Sequence, residues 1–225
     1  MRVYYTRIDS INDETMECAA AEWLPAYRLD KIRHRQQAHS RRESMAAGLL
    51  LEYALREMGL SSKTLTPYTN ADGKPYFKEL PDLYYNLSHS GDYAALALGP
   101  TEVGIDIEKI REGKERLAKR FFAKEEYEQL QGEWSDEEFT RIWTRKESVI
   151  KACGVGMRMP LADFSTSEQQ VAFGVSCRVL IEGMEEAYFV ESYRIHPEYW
   201  LSVCCNGQIV KALPQEVNIR DLVRK

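Results

Sequence analysis

The chain has 225 residues, of which 44% are hydrophobic, 29% charged and 11% aromatic, a globular composition that excludes disordered and fibrous architectures. Its formal net charge of -5 excludes a generic nucleic-acid binder, which needs a basic excess against phosphate. Residues 28–42 depart from that balance. They hold six Lys or Arg, two His and one Asp, a local +5 against -10 for the rest. Such a patch suits a small anionic ligand or, equally, a solvated helix face. Five cysteines without a C-x-x-C spacing predict reduced thiols, with neither a disulfide framework nor a zinc site. No apolar run approaches the roughly 20 residues of a membrane span, so a soluble, cytoplasmic protein with no membrane partner is expected.

In chain order, Val3 to Ile8 reads as an opening strand. The basic stretch leads into a helix on which Met45, Leu49, Leu50, Tyr53 and Leu55 recur near helical spacing and Gly59 is a stop. TNADGKPYFKELPD is dense in turn formers and reads as an ordered loop around Lys74. Strands are predicted at Leu83–Leu87, Tyr93–Leu98 and Val103–Ile107, separated by HSGD and GPTE. Ser135 with Glu138 is a capping-box signature, and Phe139, Ile142, Trp143, Ile150 and Cys153 mark the apolar stripe of a second helix that stops at Gly154. VSCRVLI, AYFVESYRI and YWLSVCC then alternate as strands of a second sheet. The expected fold is α+β: two similar, pseudo-twofold halves, 1–102 and 103–225, each a helix packed on a small, mainly antiparallel sheet. Self-similarity is limited to echoes such as Arg42-Glu43-Ser44 against Lys146-Glu147-Ser148.

Chemistry concentrates in three places. In Gly104-Ile105-Asp106-Ile107-Glu108 the strand period puts Ile105 and Ile107 on one face and Asp106 and Glu108 on the other, with Cα atoms about 6.6 Å apart. Such a carboxylate pair raises a pKa or recruits a cation such as Mg2+, unless it is the wet face of an edge strand. On the capped helix a spacing of four aligns Trp143, Glu147 and Lys151, which is either a surface Glu–Lys pair or a third carboxylate and a cation for the same centre. In Asn86-Leu87-Ser88-His89-Ser90-Gly91, Ser88, His89 and the turn amides are possible phosphate donors, the alternative being a plain serine-rich turn. No G-x-S-x-G elbow or H-E-x-x-H helix supports a serine hydrolase or zinc peptidase.

Together these motifs resemble the 4'-phosphopantetheinyl transferases of the two-half, surfactin-synthetase-activating type. The resemblance rests on G-K-P, N-x-S-H-S, GIDIE and W-x-x-K-E-x-x-x-K in order from Gly73 to Lys151. It implies a monomeric enzyme that transfers the phosphopantetheine arm of coenzyme A to a serine of an apo acyl or peptidyl carrier protein, releasing 3',5'-ADP. It implies Mg2+ on Asp106, Glu108 and Glu147, with Glu147 also the base for the carrier serine, and Lys151 and His89 at the reacting phosphate. Lys74 and Pro75 match the adenosine-side loop, Ser88 and His89 coenzyme A phosphate contacts, and Lys31 and Arg35 partners of the 3'-phosphate. Glu126 matches a further acidic position that supports the site. One departure is Ala46-Ala47-Gly48, where relatives often place a basic residue and a small hydroxyl. Two rival classes share part of the set: a coenzyme A or carrier-binding module without catalysis, and a metal-dependent phosphohydrolase.

Overall fold

The opening strand β1 (Arg2–Arg7) leads through α1 (Glu14–Trp23) and α2 (Ala26–Arg33) into the long α3 (Ala38–Arg56). The structure, a computed structural model, describes residues 1–11, 14–167, 169–171, 174–207 and 212–220. The chain continues as β2 (Pro67–Thr69), β3 (Pro75–Phe77), β4 (Tyr84–Ser90), β5 (Tyr93–Gly99) and β6 (Val103–Lys109). There follow α4 (Glu115–Phe121), α5 (Lys124–Gly132) and α6 (Asp136–Cys153), then β7 (Gln169–Val171), β8 (Gly174–Val179), β9 (Tyr188–His196), β10 (Tyr199–Asn206) and β11 (Gln215–Glu216).

Two sheets carry the fold, in the orders β11-β1-β5-β4 and β6-β10-β9-β8-β7. Period-two alternation explains how they layer. On β5, Ala94, Leu96 and Leu98 pack with Leu49, Leu50 and Leu55 of α3. Tyr93, Ala95 and Ala97, on the other face, pack against Ile105 and Ile107 of β6 and Leu201 and Val203 of β10. The second sheet receives α6 on its remaining face through Val149, Ile150 and Ala152. Each half is thus a helix on a small sheet, the α+β architecture expected.

The helix ends follow the sequence signals. Ser135 Oγ accepts from Glu138 N at 3.2 Å, and Gly154 closes α6 in the left-handed region at φ 65, which a residue without Cβ adopts cheaply. The reciprocal half of the capping box is missing because the Glu138 carboxylate pairs with Arg141 instead.

Three details differ from the sequence reading. The expected loop around Lys74 holds the hairpin β2–β3, whose turn is built by Asn70 Oδ1 accepting from Asp72 N at 3.0 Å and Lys74 N at 2.9 Å. Strands of three residues are too short to display alternation. β4 runs on to Ser90 rather than ending at Leu87, because its polar side chains are satisfied by β6. Finally, the last segment crosses between the halves: β11 pairs with β1 in parallel, and Val217 and Ile219 are buried in the core under α3.

Candidate active site

β4 and β6 meet at the junction of the two sheets through a ladder of side chains. Asn86 Oδ1 accepts from Ile105 N at 3.0 Å, Ser88 Oγ from Ile107 N at 3.4 Å and Ser90 Oγ from Lys109 N at 3.3 Å. Residues two apart share a strand face, so this polar alternation satisfies the amides of β6 while the opposite residues, Tyr85, Leu87 and His89, face the α3 side. On β6, Val103, Ile105 and Ile107 are buried, and Asp106 and Glu108 project toward α6. Gly104 lets α6 lie flush on this strand, since a Cβ there would run into Ser148 O and Ala152 N of the helix backbone.

That packing brings the predicted residues of both halves together. Lys151 Nζ donates to Asp106 Oδ1 at 2.6 Å, Ser88 Oγ at 3.1 Å and Ile105 O at 3.2 Å. Ser88 in turn donates to Asp106 Oδ1 at 2.9 Å. Asp106 Oδ2 is buried without a partner. Ser90 donates to Glu108 Oε2 at 2.7 Å. Burial and the neighbouring Asp106 charge push the Glu108 carboxyl up to about 7, and the same two causes raise Glu147. Three carboxyls therefore crowd one place and share Lys151 as a nearby cation, the situation in which like charges disfavour ionisation.

Around the corner lies a cavity of about 610 Å³ lined by Arg28, Lys31, His34, Arg35, Ser44 and His89, by one acid, Asp30, and by Ala47, Pro75, Asn86 and Leu87. Arg28 donates to Ser44 O at 3.1 Å, while its Nε is buried without a partner. Gly48 makes room for it, because a Cβ would come within 3.1 Å of that Nε. Lys31, Arg35, Pro75 and His89 all line this cavity. The His89 ring lies 3.5 Å from Glu43 Oε1, and burial holds its pKa below the usual value.

The structure disperses some of the predicted residues. The Lys74 ammonium does not enter the cavity: it donates to Val103 O at 3.0 Å and Ala152 O at 2.8 Å and pairs with Glu102, so it fastens the Pro75 hairpin to the second half. Ser88 turns its hydroxyl toward Asp106 and Lys151. Glu126 lies behind α6, where Oε2 pairs with Lys146 Nζ at 2.7 Å and Oε1 accepts from Thr166 N at 2.6 Å. Lys146 itself is fully buried and also donates to Leu161 O at 2.8 Å and Phe164 O at 2.5 Å.

Sequence reasoning missed Arg28, His34, Ser44, Ser90 and Lys146. Arg28 and His34 stood inside the flagged basic run, and the period-two spacing of Asn86, Ser88 and Ser90 was the available signal for Ser90. Ser44, a small hydroxyl just upstream of Ala46-Ala47-Gly48, needed the helix register to be seen. Nothing in the sequence marked Lys146 as buried.

A basic, nucleotide-sized cavity meeting a carboxylate and lysine centre defines a phosphate-handling protein. The family model described as the 4'-phosphopantetheinyl transferase superfamily matches residues 102–204. A Bacillus subtilis 4'-phosphopantetheinyl transferase is 32% identical over 90% of this chain and 89% of its own. The 4'-phosphopantetheinyl transferase Sfp of Bacillus subtilis (strain 168) is 32% identical over 76% of this chain and 75% of its own. The human L-aminoadipate-semialdehyde dehydrogenase-phosphopantetheinyl transferase is 30% identical over 81% of this chain and 69% of its own. The chain belongs to the 4'-phosphopantetheinyl transferase family.

Proposed function

We propose that this protein moves the 4'-phosphopantetheine arm of coenzyme A onto a serine hydroxyl of an apo acyl or peptidyl carrier protein and releases 3',5'-ADP. The observation that carries this reading is the junction at β4. Ser88 touches Lys151 and Asp106, while His89, the next residue, opens into the basic cavity. The 3'-phosphoadenosine end of coenzyme A, held by Arg28, Lys31, Arg35 and His89, thereby presents the donor's pyrophosphate to the carboxylate centre.

The reaction forms one P–O bond, from the carrier serine to the phosphorus that bears pantetheine, and breaks the bond from that phosphorus to the ADP oxygen. Lys151 stabilises the charge that builds on the phosphoryl oxygens and the leaving group, while His89, on the cavity side of β4, holds the donor's 3'-phosphate. Glu147, on the same α6 stripe as Lys151, takes the serine proton.

Among the described residues no three His, Cys, Asp or Glu side chains stand ready-made at metal-ligand geometry. The donor set nevertheless fits a divalent cation. The buried, unpartnered Asp106 Oδ2 and the crowded Glu108 and Glu147 supply hard oxygen ligands of the kind Mg2+ takes. When bound, Mg2+ would neutralise pyrophosphate charge.

We assign the nucleotide side to residues 1–102 and the metal and catalytic helix to 103–225, in a monomeric cytoplasmic protein. Among the described residues no helix is long and apolar enough to cross a membrane.

Intact-mass measurement of an apo carrier protein incubated with this protein, coenzyme A and Mg2+ tests the reading. A gain of one phosphopantetheine, abolished by EDTA and by Asp106→Ala, is expected. Release of inorganic phosphate without a carrier would indicate a hydrolase. Mg2+-indifferent coenzyme A binding without transfer would indicate a binding module.

A further inference from the structure

The sequence echo between Arg42-Glu43-Ser44 and Lys146-Glu147-Ser148 puts a carboxylate on α3 as well as on α6, and the proposed transfer uses Glu147 alone. Glu43 is well covered, with its side chain 12% exposed, and its Oε1 lies 3.5 Å from both His89 Nδ1 and His39 Nε2. A carboxylate beside a cavity for anions repels the ligand unless it acts through a cation. His89 is the group between them, since its ring lines the cavity with Arg28, Lys31 and Arg35.

The charged groups facing His89 come from several elements: Glu43 from α3, Arg35 from the α2–α3 connection, Lys151 from α6 and Arg28 from α2, with Asp30 and Lys31 of α2 lining the same cavity. His39 reaches the same cluster through Glu43. Burial, Arg35, Lys151 and Arg28 all favour the neutral ring, and Glu43 opposes them. A phosphate dianion arriving in the cavity offsets the three cations and adds a second anion, so the ring takes up a proton as the ligand binds. With Nδ1 on the Glu43 side at 3.5 Å, Nε2 is the nitrogen left for the phosphate.

We infer that Glu43 is a positioning residue which, through His89, makes binding of the donor's phosphate monoester proton-linked and so separates coenzyme A from its 3'-dephospho form. This rests on the proposed reading of the cavity as the coenzyme A site. The linkage has a definite sign. A ring protonated only in the complex makes binding weaken as pH rises through the interval between its free and bound titrations.

Calorimetric titration of the full chain with coenzyme A and with 3'-dephospho-coenzyme A, from about pH 6.5 to about pH 8.5, tests this. The wild type is expected to lose roughly five- to tenfold in coenzyme A affinity across that range and to hold dephospho-coenzyme A evenly. Glu43→Gln keeps size and an acceptor and removes the charge. It should flatten the coenzyme A slope to within about twofold and weaken binding at the acid end, with dephospho-coenzyme A affinity and melting temperature unchanged as controls of folding. His89→Gln should flatten the slope likewise. An unchanged slope in either variant, or tighter coenzyme A binding by Glu43→Gln at every pH, overturns the inference and leaves the transferase reading standing. If the wild type binds neither donor, it is the reading of the cavity that falls.

Discussion

Lys151 is the side chain on which the two halves converge, because its ammonium touches Asp106 and Ile105 of β6 and Ser88 of β4. A fixed cation in a partly buried setting stabilises developing charge without having to reorganise during reaction. Lys151→Met should therefore lower the transfer rate by about 10²- to 10³-fold, with a smaller change in KM for coenzyme A, whose proposed site is mainly the cavity around Arg28. Steady-state transfer to a carrier protein measures both constants; an unchanged turnover number would remove Lys151 from the reaction. Glu52 behaves in the opposite way, as a purely structural acid. Its buried carboxylate accepts from Ser62 N at 2.9 Å, Ser62 Oγ at 2.6 Å, Ser61 Oγ at 2.9 Å and Arg56 Nε at 2.8 Å. Burial alone would raise its pKa, but these donors outweigh it and hold it below the ordinary 4.5. A carboxyl depressed in the folded state stabilises fully above its unfolded pKa and loses that contribution as pH falls through the folded value. Glu52→Gln should accordingly melt lower than wild type at about pH 7, with the gap closing below about pH 4. A gap that stays constant into acid would show that the charge plays no part.

At the scale of elements, the proposed catalytic arrangement depends on how closely α6 lies on β6, and Gly104 sets that distance. Any side chain there meets the carbonyl of Ser148 and the amide of Ala152, and helix backbone atoms do not yield as a flexible side chain would. Gly104→Ala should destabilise the fold by about 1–3 kcal/mol. It should also reduce transfer more than the stability loss explains, because Glu147 and Lys151 ride on the displaced helix. Thermal melts alongside transfer rates separate the two effects, and a variant with wild-type values in both would show that the helix can move without consequence. This contact also marks where the sequence stopped being informative. Strand alternation made the buried Ile105 and Ile107 and the opposite Asp106 and Glu108 legible, and the serine cap and terminal glycine located α6. What one strand touches on another element leaves no periodic trace. Lys146 therefore read like any other helical lysine, although it is buried against Glu126. The amine of Lys74 likewise gave no sign that it would bond to Val103 O and Ala152 O rather than to a nucleotide.

For the whole molecule, the division into two halves describes the helices and sheets but not the path of the chain. The C-terminal segment leaves the second half, adds β11 beside β1, and secures it by Val217 N donating to Tyr5 O at 2.8 Å. Ile219, fully buried, then completes the core beneath α3 with Ile8, Ile11 and Leu55. A two-residue strand at the edge of a sheet has no pattern that a sequence could announce, yet its burial ties the end of the second half to the start of the first. Truncating Ile219 to Ala removes buried methyl and methylene groups and leaves a cavity in the core beneath α3, at a cost of about 2–5 kcal/mol. Because α2 and α3 frame the proposed nucleotide cavity and rest on that same core, coenzyme A should recover part of the loss by binding the folded state alone. The melting temperature of Ile219→Ala should thus fall well below wild type and rise with added coenzyme A, while transfer at saturating donor stays close to normal. If the variant instead melted like wild type, the C-terminal segment would be an ornament on the first half, and the two halves would be as separate as their sequences suggest.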